Sequence, residues 1–213
     1  MKPPIALFGG TFDPIHYGHL FSIKALMAEL AITEARLLPC HKPPHRQGPL
    51  VSSQQRLAMA LLAVKDMPGV IVDDRELARD SLSYTIETLI DVRNELGPNQ
   101  PLCWVMGLDA FAKLDSWHRW QELLDYAHLL VMARPGAEWP KAGPVADFFQ
   151  RHGTDDRQII AAEPAGSILA LNLTPFPISA TAIRKQLLRG ERPRQWVPET
   201  VLNFIDQFQL YRQ

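Results

Sequence analysis

Apolar positions along the chain follow two rhythms. Short unbroken runs occur at 5–8 (IALF), 35–40 (ARLLPC), 69–74 (GVIVDD), 102–107 (LCWVMG), 128–136 (HLLVMARPG) and 167–173 (SILALNL). Their length and continuity predict strands buried on both faces. Between them the period lengthens. Leu20, Ile23, Leu26, Met27 and Leu30 recur at helical spacing and predict a helix over about 17–31. Ser52 or Ser53 can cap a second helix running to about Lys65. Ser83 precedes TIETLIDVRNEL, with Glu87 at capping-box range and Gly97-Pro98 as the stop. The segments 117–127, 179–190 and 198–211 also read as helices. The segment 40–49 reads as rigid loop, and 135–166, rich in Pro and Gly, as an irregular excursion.

Strand and helix therefore alternate from end to end. That order implies an α/β fold: one doubly wound, Rossmann-like domain over 1–213, with a mainly parallel sheet and helices on both faces. Its C-terminal portion, about 178–213, is helical. No repeat, low-complexity segment or clean domain boundary interrupts it. Ligands of such folds sit beyond the carboxyl ends of the strands, near the switch point.

Composition changes this picture in three places. Lys plus Arg is 22 and Asp plus Glu is 23, a net charge of −1, so no diffuse basic field exists to hold nucleic acid or an anionic membrane. No apolar run approaches the roughly 20 residues that span a bilayer. Two cysteines, Cys40 and Cys103, are too few for a disulfide scaffold and imply a reduced, cytoplasmic protein. An anionic ligand would have to be met by a local set of positive groups.

The segment after the first strand suits that task. It reads Gly9-Gly10-Thr11-Phe12-Asp13-Pro14-Ile15-His16-Tyr17-Gly18-His19. Two glycines let backbone amides approach a ligand. His16 and His19, three apart at the mouth of a helix, can face one anion, and Gly18 leaves the space between them open. Read singly, these residues are turns and caps; together in one loop after a strand they point to phosphate.

This loop resembles the signature of the nucleotidylyltransferase superfamily that carries an HxGH motif. Members transfer an adenylyl or cytidylyl group from a nucleoside triphosphate to a phosphate or phosphonate and release pyrophosphate. Their second signature, ISSTxIR, is matched by Ile178-Ser179-Ala180-Thr181-Ala182-Ile183-Arg184, with Ala180 in place of the commoner second serine. The resemblance implies that Ser179, Thr181 and Arg184 cradle the β- and γ-phosphates, a role compatible with Ser179 also being an N-cap.

The middle of the chain narrows the match. Over its whole length the sequence is similar to the bacterial nicotinate-nucleotide adenylyltransferases. Pro43-Pro44-His45 after Lys42 matches a PPHK loop, with Arg46 in place of Lys, and the two cations hold phosphate with different geometry. Ser83-Tyr84-Thr85 through Leu89 matches SYTxxTL, and Trp117-His118-Arg119-Trp120 matches WxxW. Gly107-Leu108-Asp109 matches GxD, and Arg134-Pro135-Gly136 matches RPG.

The resemblance implies transfer of AMP from ATP to nicotinate mononucleotide, in NAD synthesis, by direct in-line attack. His16 and His19 would be catalytic. Gly9, Gly10, Thr11, Phe12, Gly107, Asp109, Arg134, Ile178, Ser179, Thr181 and Arg184 would join them in holding ATP. Asp13, Lys42, His45, Arg46, Tyr84, Thr85 and Trp117 would bind the acceptor, with Trp117 stacked on the pyridine ring and Trp120 in the core. Mg²⁺ would ride on the triphosphate, mostly through phosphate and water. The rival readings are an adenylyltransferase acting on phosphopantetheine and a nucleotide sensor without turnover. Against the first stand the PPH loop and SYTxxTL; against the second stand two intact motifs.

Overall fold

A computed structural model describes residues 2–42, 49–133, 138–172 and 176–212. Among them the strands are β1 (Ile5–Gly10), β2 (Glu34–Pro39), β3 (Val70–Val72), β4 (Leu102–Gly107), β5 (His128–Ala133), β6 (Gly153–Thr154) and β7 (Ile168–Asn172). They form one sheet in the order β3-β2-β1-β4-β5-β7-β6, and every pairing is parallel. The α-helices are α1 (Tyr17–Glu29), α2 (Ser53–Val64), α3 (Thr85–Leu96), α4 (Leu108–Phe111), α5 (Leu123–Tyr126), α6 (Pro144–His152), α7 (Ile159–Ala162), α8 (Ala180–Leu188) and α9 (Glu199–Gln207).

Alternation along each strand divides the core in two. Ala6 and Phe8 of β1 face a layer built from Ile23 and Leu26 of α1, Met59 of α2, Ile183 of α8 and Val201 of α9. Ile5 and Leu7 face the opposite layer, with Leu89 of α3, Leu123 of α5 and Phe148 of α6. Helices thus cover both faces, and the strands read as unbroken apolar runs for that reason. β1 is the switch point. Its register pairs Ile5 with Glu34 of β2 on one side and with Leu102 of β4 on the other.

Two expectations are corrected. The segment 117–127 is not one helix. Arg119 adopts a left-handed backbone (φ 50°), and its side chain bonds Glu122. The chain breaks into 3₁₀ turns at Leu114–Ser116 and Trp120–Glu122 before α5. The stretch 135–166 is not wholly irregular either. Gly143, at φ 91°, leads into Pro144 at the first turn of α6, which is followed by β6 and α7. A two-residue strand and a one-turn helix are too short to carry a periodic signal. Residues 134–136 and 173, included in predicted strands, lie outside the described residues.

Candidate active site

β1 delivers Gly9 and Gly10 to the carboxyl edge of the sheet. A β carbon on Gly9 would lie 2.6 Å from the Trp104 ring, and one on Gly10 would lie 2.8 Å from Phe12. Their own packing therefore demands glycine, and the result is bare backbone at the switch point. Phe12 takes a left-handed backbone (φ 47°), and its buried ring stands edge-on to His19 at 5.1 Å and to Phe8 at 5.9 Å. It shapes the loop from below.

His16 and His19 stack face to face, with ring centroids 3.7 Å apart. The His16 backbone N–H donates to His19 Nδ1 at 3.3 Å. In the neutral ring that acceptor role places the proton on Nε2, leaving an N–H to donate to a ligand. His16 Nδ1 is buried without a hydrogen-bond partner. Burial lowers the His16 pKa to about 4. It also holds His19 well below the usual histidine range, with repulsion from His16 adding to the effect. Burial thus favours the neutral form of both rings, which suits their close stacking. Gly18 protects it, since a β carbon there would come within 2.9 Å of the His16 ring and 3.4 Å of Ile178 Cβ.

The second motif docks against the same loop. Ser179 is the N-cap of α8, its hydroxyl accepting from Ala182 N–H at 3.2 Å. Arg184 donates to the Asp13 carbonyl at 2.7 Å and to Thr181 Oγ1 at 3.3 Å. Residues 171 positions apart are thereby joined beside the histidines.

On the other side of the glycine loop lies a cavity of about 440 Å³. Its walls bring together Gly9, Gly10, Thr11, Tyr84, Thr85, Gly107, Asp109 and Trp117. Tyr84 is the N-cap of α3 and its side chain makes no cap hydrogen bond, so the first turn of that helix keeps backbone amides without a side-chain cap. Asp109 caps nothing; it is exposed, lines the cavity and has no hydrogen-bond or ion-pair partner among the described residues. Trp117 owes its place to the broken helix, its backbone being extended (ψ 145°) after the first 3₁₀ turn. Trp120 instead packs edge-on against Phe148 at 4.9 Å and does not line the cavity.

Several anticipated residues are placed elsewhere. Asp13 is buried with its carboxylate engaged, accepting from Tyr211 O–H at 2.7 Å and Leu50 N–H at 3.1 Å, with Arg184 at 3.7 Å. It organises the loop and does not line the cavity. The Lys42 ammonium is held by Asp80 at 3.1 Å. His45, Arg46 and Arg134 lie outside the described residues. The structure adds walls that sequence reasoning missed: Glu76, Trp104, Lys113 and His118. His118, beside the motif tryptophan, tilts over Tyr84 at 4.6 Å, and its place within WHRW was the one signal available. Glu76 accepts from Thr88 Oγ1 at 2.8 Å, and burial pushes its pKa up.

Among the described residues no group of three His, Cys, Asp or Glu is placed to hold a metal ion. No described helix is long and apolar enough to cross a membrane.

Comparison with known proteins gives a consistent picture. The cytidylyltransferase-like family model matches residues 7–186. A protein of Aeromonas hydrophila named "Probable nicotinate-nucleotide adenylyltransferase" is 48% identical over 212 residues, covering 100% of this chain and 99% of its own. One of the same name from Cellvibrio japonicus is 46% identical over 212 residues, with 100% of both chains covered. Among solved structures, the nicotinic acid mononucleotide adenylyltransferase of Plasmodium falciparum complexed with NaAD superimposes with a TM-score of 0.71 at 18% identity. That match covers 99% of this chain and 98% of the other and speaks for the fold.

Proposed function

The chain belongs to the cytidylyltransferase-like family and, within it, to the nicotinate-nucleotide adenylyltransferases, and from that premise we propose how its site works. The protein transfers AMP from ATP to nicotinate mononucleotide, giving nicotinate adenine dinucleotide and pyrophosphate. One observation carries the reading of the site. A cavity walled by an uncapped helix start and a tryptophan opens onto the same glycine loop that the histidine pair and α8 flank from the other side.

The acceptor phosphate is already an oxyanion, so no base has to remove a proton. Its oxygen attacks the α-phosphorus in line, the bond to the bridging oxygen breaks, and pyrophosphate leaves with the electron pair. Catalysis is positioning plus stabilisation of charge. His16 and His19 donate N–H groups to the α/β-phosphate region as charge grows on the bridging oxygen. Ser179, Thr181 and Arg184 hold the departing pyrophosphate, while Gly9, Gly10 and Thr11 line the floor that both substrates share. Asp109 accepts from a ribose hydroxyl of ATP beside Gly107. Trp117 stacks on the pyridine ring, and the first amides of α3 at Tyr84 and Thr85 receive the carboxylate. Donors at that point favour a carboxylate over a carboxamide. Mg²⁺ would be held by the triphosphate and water, with no group of carboxylates among the described residues placed to bind it, and would supply charge neutralisation at the phosphates.

A pyrophosphate-release assay with ATP and one of three acceptors tests this. Turnover is expected with nicotinate mononucleotide, weaker turnover with nicotinamide mononucleotide and none with phosphopantetheine. A preference for phosphopantetheine, or no release with any acceptor, would overturn it.

A further inference from the structure

Arg56 is the bulkiest of the side chains fully removed from solvent among the described residues. It sits in α2 on a face otherwise filled by Met59, Ala60 and Val64. Its guanidinium donates to the Thr11 carbonyl at 2.7 Å and to the His41 carbonyl at 3.3 Å, and its Nε is buried with no partner. Thr11 is a wall of the cavity, so the cation lies one residue behind that wall.

No described carboxylate is within ion-pair distance of Arg56, and no residue outside the description has an acidic side chain. Asp13 acts on it only at longer range, and Asp13 is already ion-paired with Arg184. Glu76 also acts on it at longer range, and burial raises the Glu76 pKa. Cys40, the strongest of these long-range influences, and Tyr211 also act on it, and burial raises the Tyr211 pKa. The carboxylate nearest in influence, Asp13, is thus already engaged by a second arginine. Burial opposes the charge on Arg56, but a guanidinium stays protonated, so the cation persists without an ion-pair partner. An unpaired buried cation of this kind is costly unless something compensates it.

We propose that Arg56 is a positioning residue for bound phosphate. It fixes the glycine loop by tying the Thr11 carbonyl to that of His41, and its charge, with no carboxylate at ion-pair distance, makes that loop an anion site before ligand arrives. This rests on the reading that the triphosphate occupies the loop. The anion completes the charge balance that Asp13 leaves open, which gives a physical reason for a cation in an otherwise apolar helix face.

Calorimetric titration with ATP and with adenosine, which lacks the phosphates, tests it on the wild type, R56K, R56M and R56Q. R56M should lose about tenfold in ATP affinity while adenosine changes less than about twofold; R56K should restore most of the loss. R56Q keeps a polar donor at the Thr11 carbonyl but removes the charge, so its ATP affinity should fall as in R56M with adenosine unchanged. That variant carries the test if R56M does not fold. An unchanged ratio of ATP to adenosine affinity in R56M or in R56Q would overturn the proposal while leaving the reading of the site intact. Failure of the wild type to bind ATP would instead strike the reading itself.

Discussion

Burial opposes a proton on both His16 and His19, repulsion from His16 adds to it at His19, and this has a measurable consequence at the residue scale. A histidine whose folded pKa is depressed leaves the native state with fewer bound protons than the unfolded chain. Its contribution to stability is therefore complete above the unfolded pKa of about 6.5 and is lost as pH falls toward about 4. For His16 that window corresponds to roughly 3 kcal/mol. Urea unfolding at pH 7 and pH 5 should show the wild type losing stability more steeply than His16→Gln; equal slopes would contradict the burial argument. Chemistry at the same pair is tested by His19→Ala. The fold should persist while kcat falls by about 100-fold or more, as expected when a donor to developing charge is removed. At the acceptor wall, Trp117→Ala should raise KM for nicotinate mononucleotide by about tenfold and leave KM for ATP nearly unchanged. Equal changes in both would remove Trp117 from the pyridine site.

At the scale of elements, two helix N-termini face the site and are treated differently. α3 begins with no side-chain cap, whereas α8 is capped by the Ser179 hydroxyl. In the proposed reading the first serves the acceptor's carboxylate and the second the triphosphate. A single substitution separates capping from phosphate binding. Ser179→Ala should cost about 1 kcal/mol of stability in urea unfolding and also weaken ATP binding. Ser179→Asp keeps a good cap and should restore that stability, yet its carboxylate would repel the triphosphate and weaken ATP binding further. If Ser179→Asp bound ATP as well as the wild type, the cradle would have to lie elsewhere.

At the scale of the whole molecule, the strands were legible because both of their faces are buried. Leu7 and Phe8 point into opposite cores, so β1 reads as a continuous apolar run. The placement of the loop 9–19 was equally legible, because a parallel sheet puts its ligand loop at the switch point. What escaped depends on contacts that no local pattern displays. Lys42 looks free in sequence, yet Asp80 takes its charge from 38 residues away. Asp13 looks like a ligand group, yet Tyr211, 198 residues on, claims its carboxylate. Arg56 sits in a helical apolar pattern and reveals its role only through two carbonyls from separate loops. The 117–127 segment carries the apolar spacing of a helix, and the left-handed Arg119 overrides it. That break is what turns Trp117 toward the cavity.

The net charge of −1 fits this arrangement, in which most of the described arginines are paired with acids or carbonyls of the chain itself. The central claim is direct transfer of the adenylyl group from ATP to nicotinate mononucleotide by positioning. The stereochemical course at the α-phosphorus tests it most directly. With ATP chirally labelled at that atom, the account predicts nicotinate adenine dinucleotide formed with inversion, the signature of one in-line displacement. Retention, the signature of a covalent adenylyl-enzyme, or the absence of any dinucleotide product would contradict it.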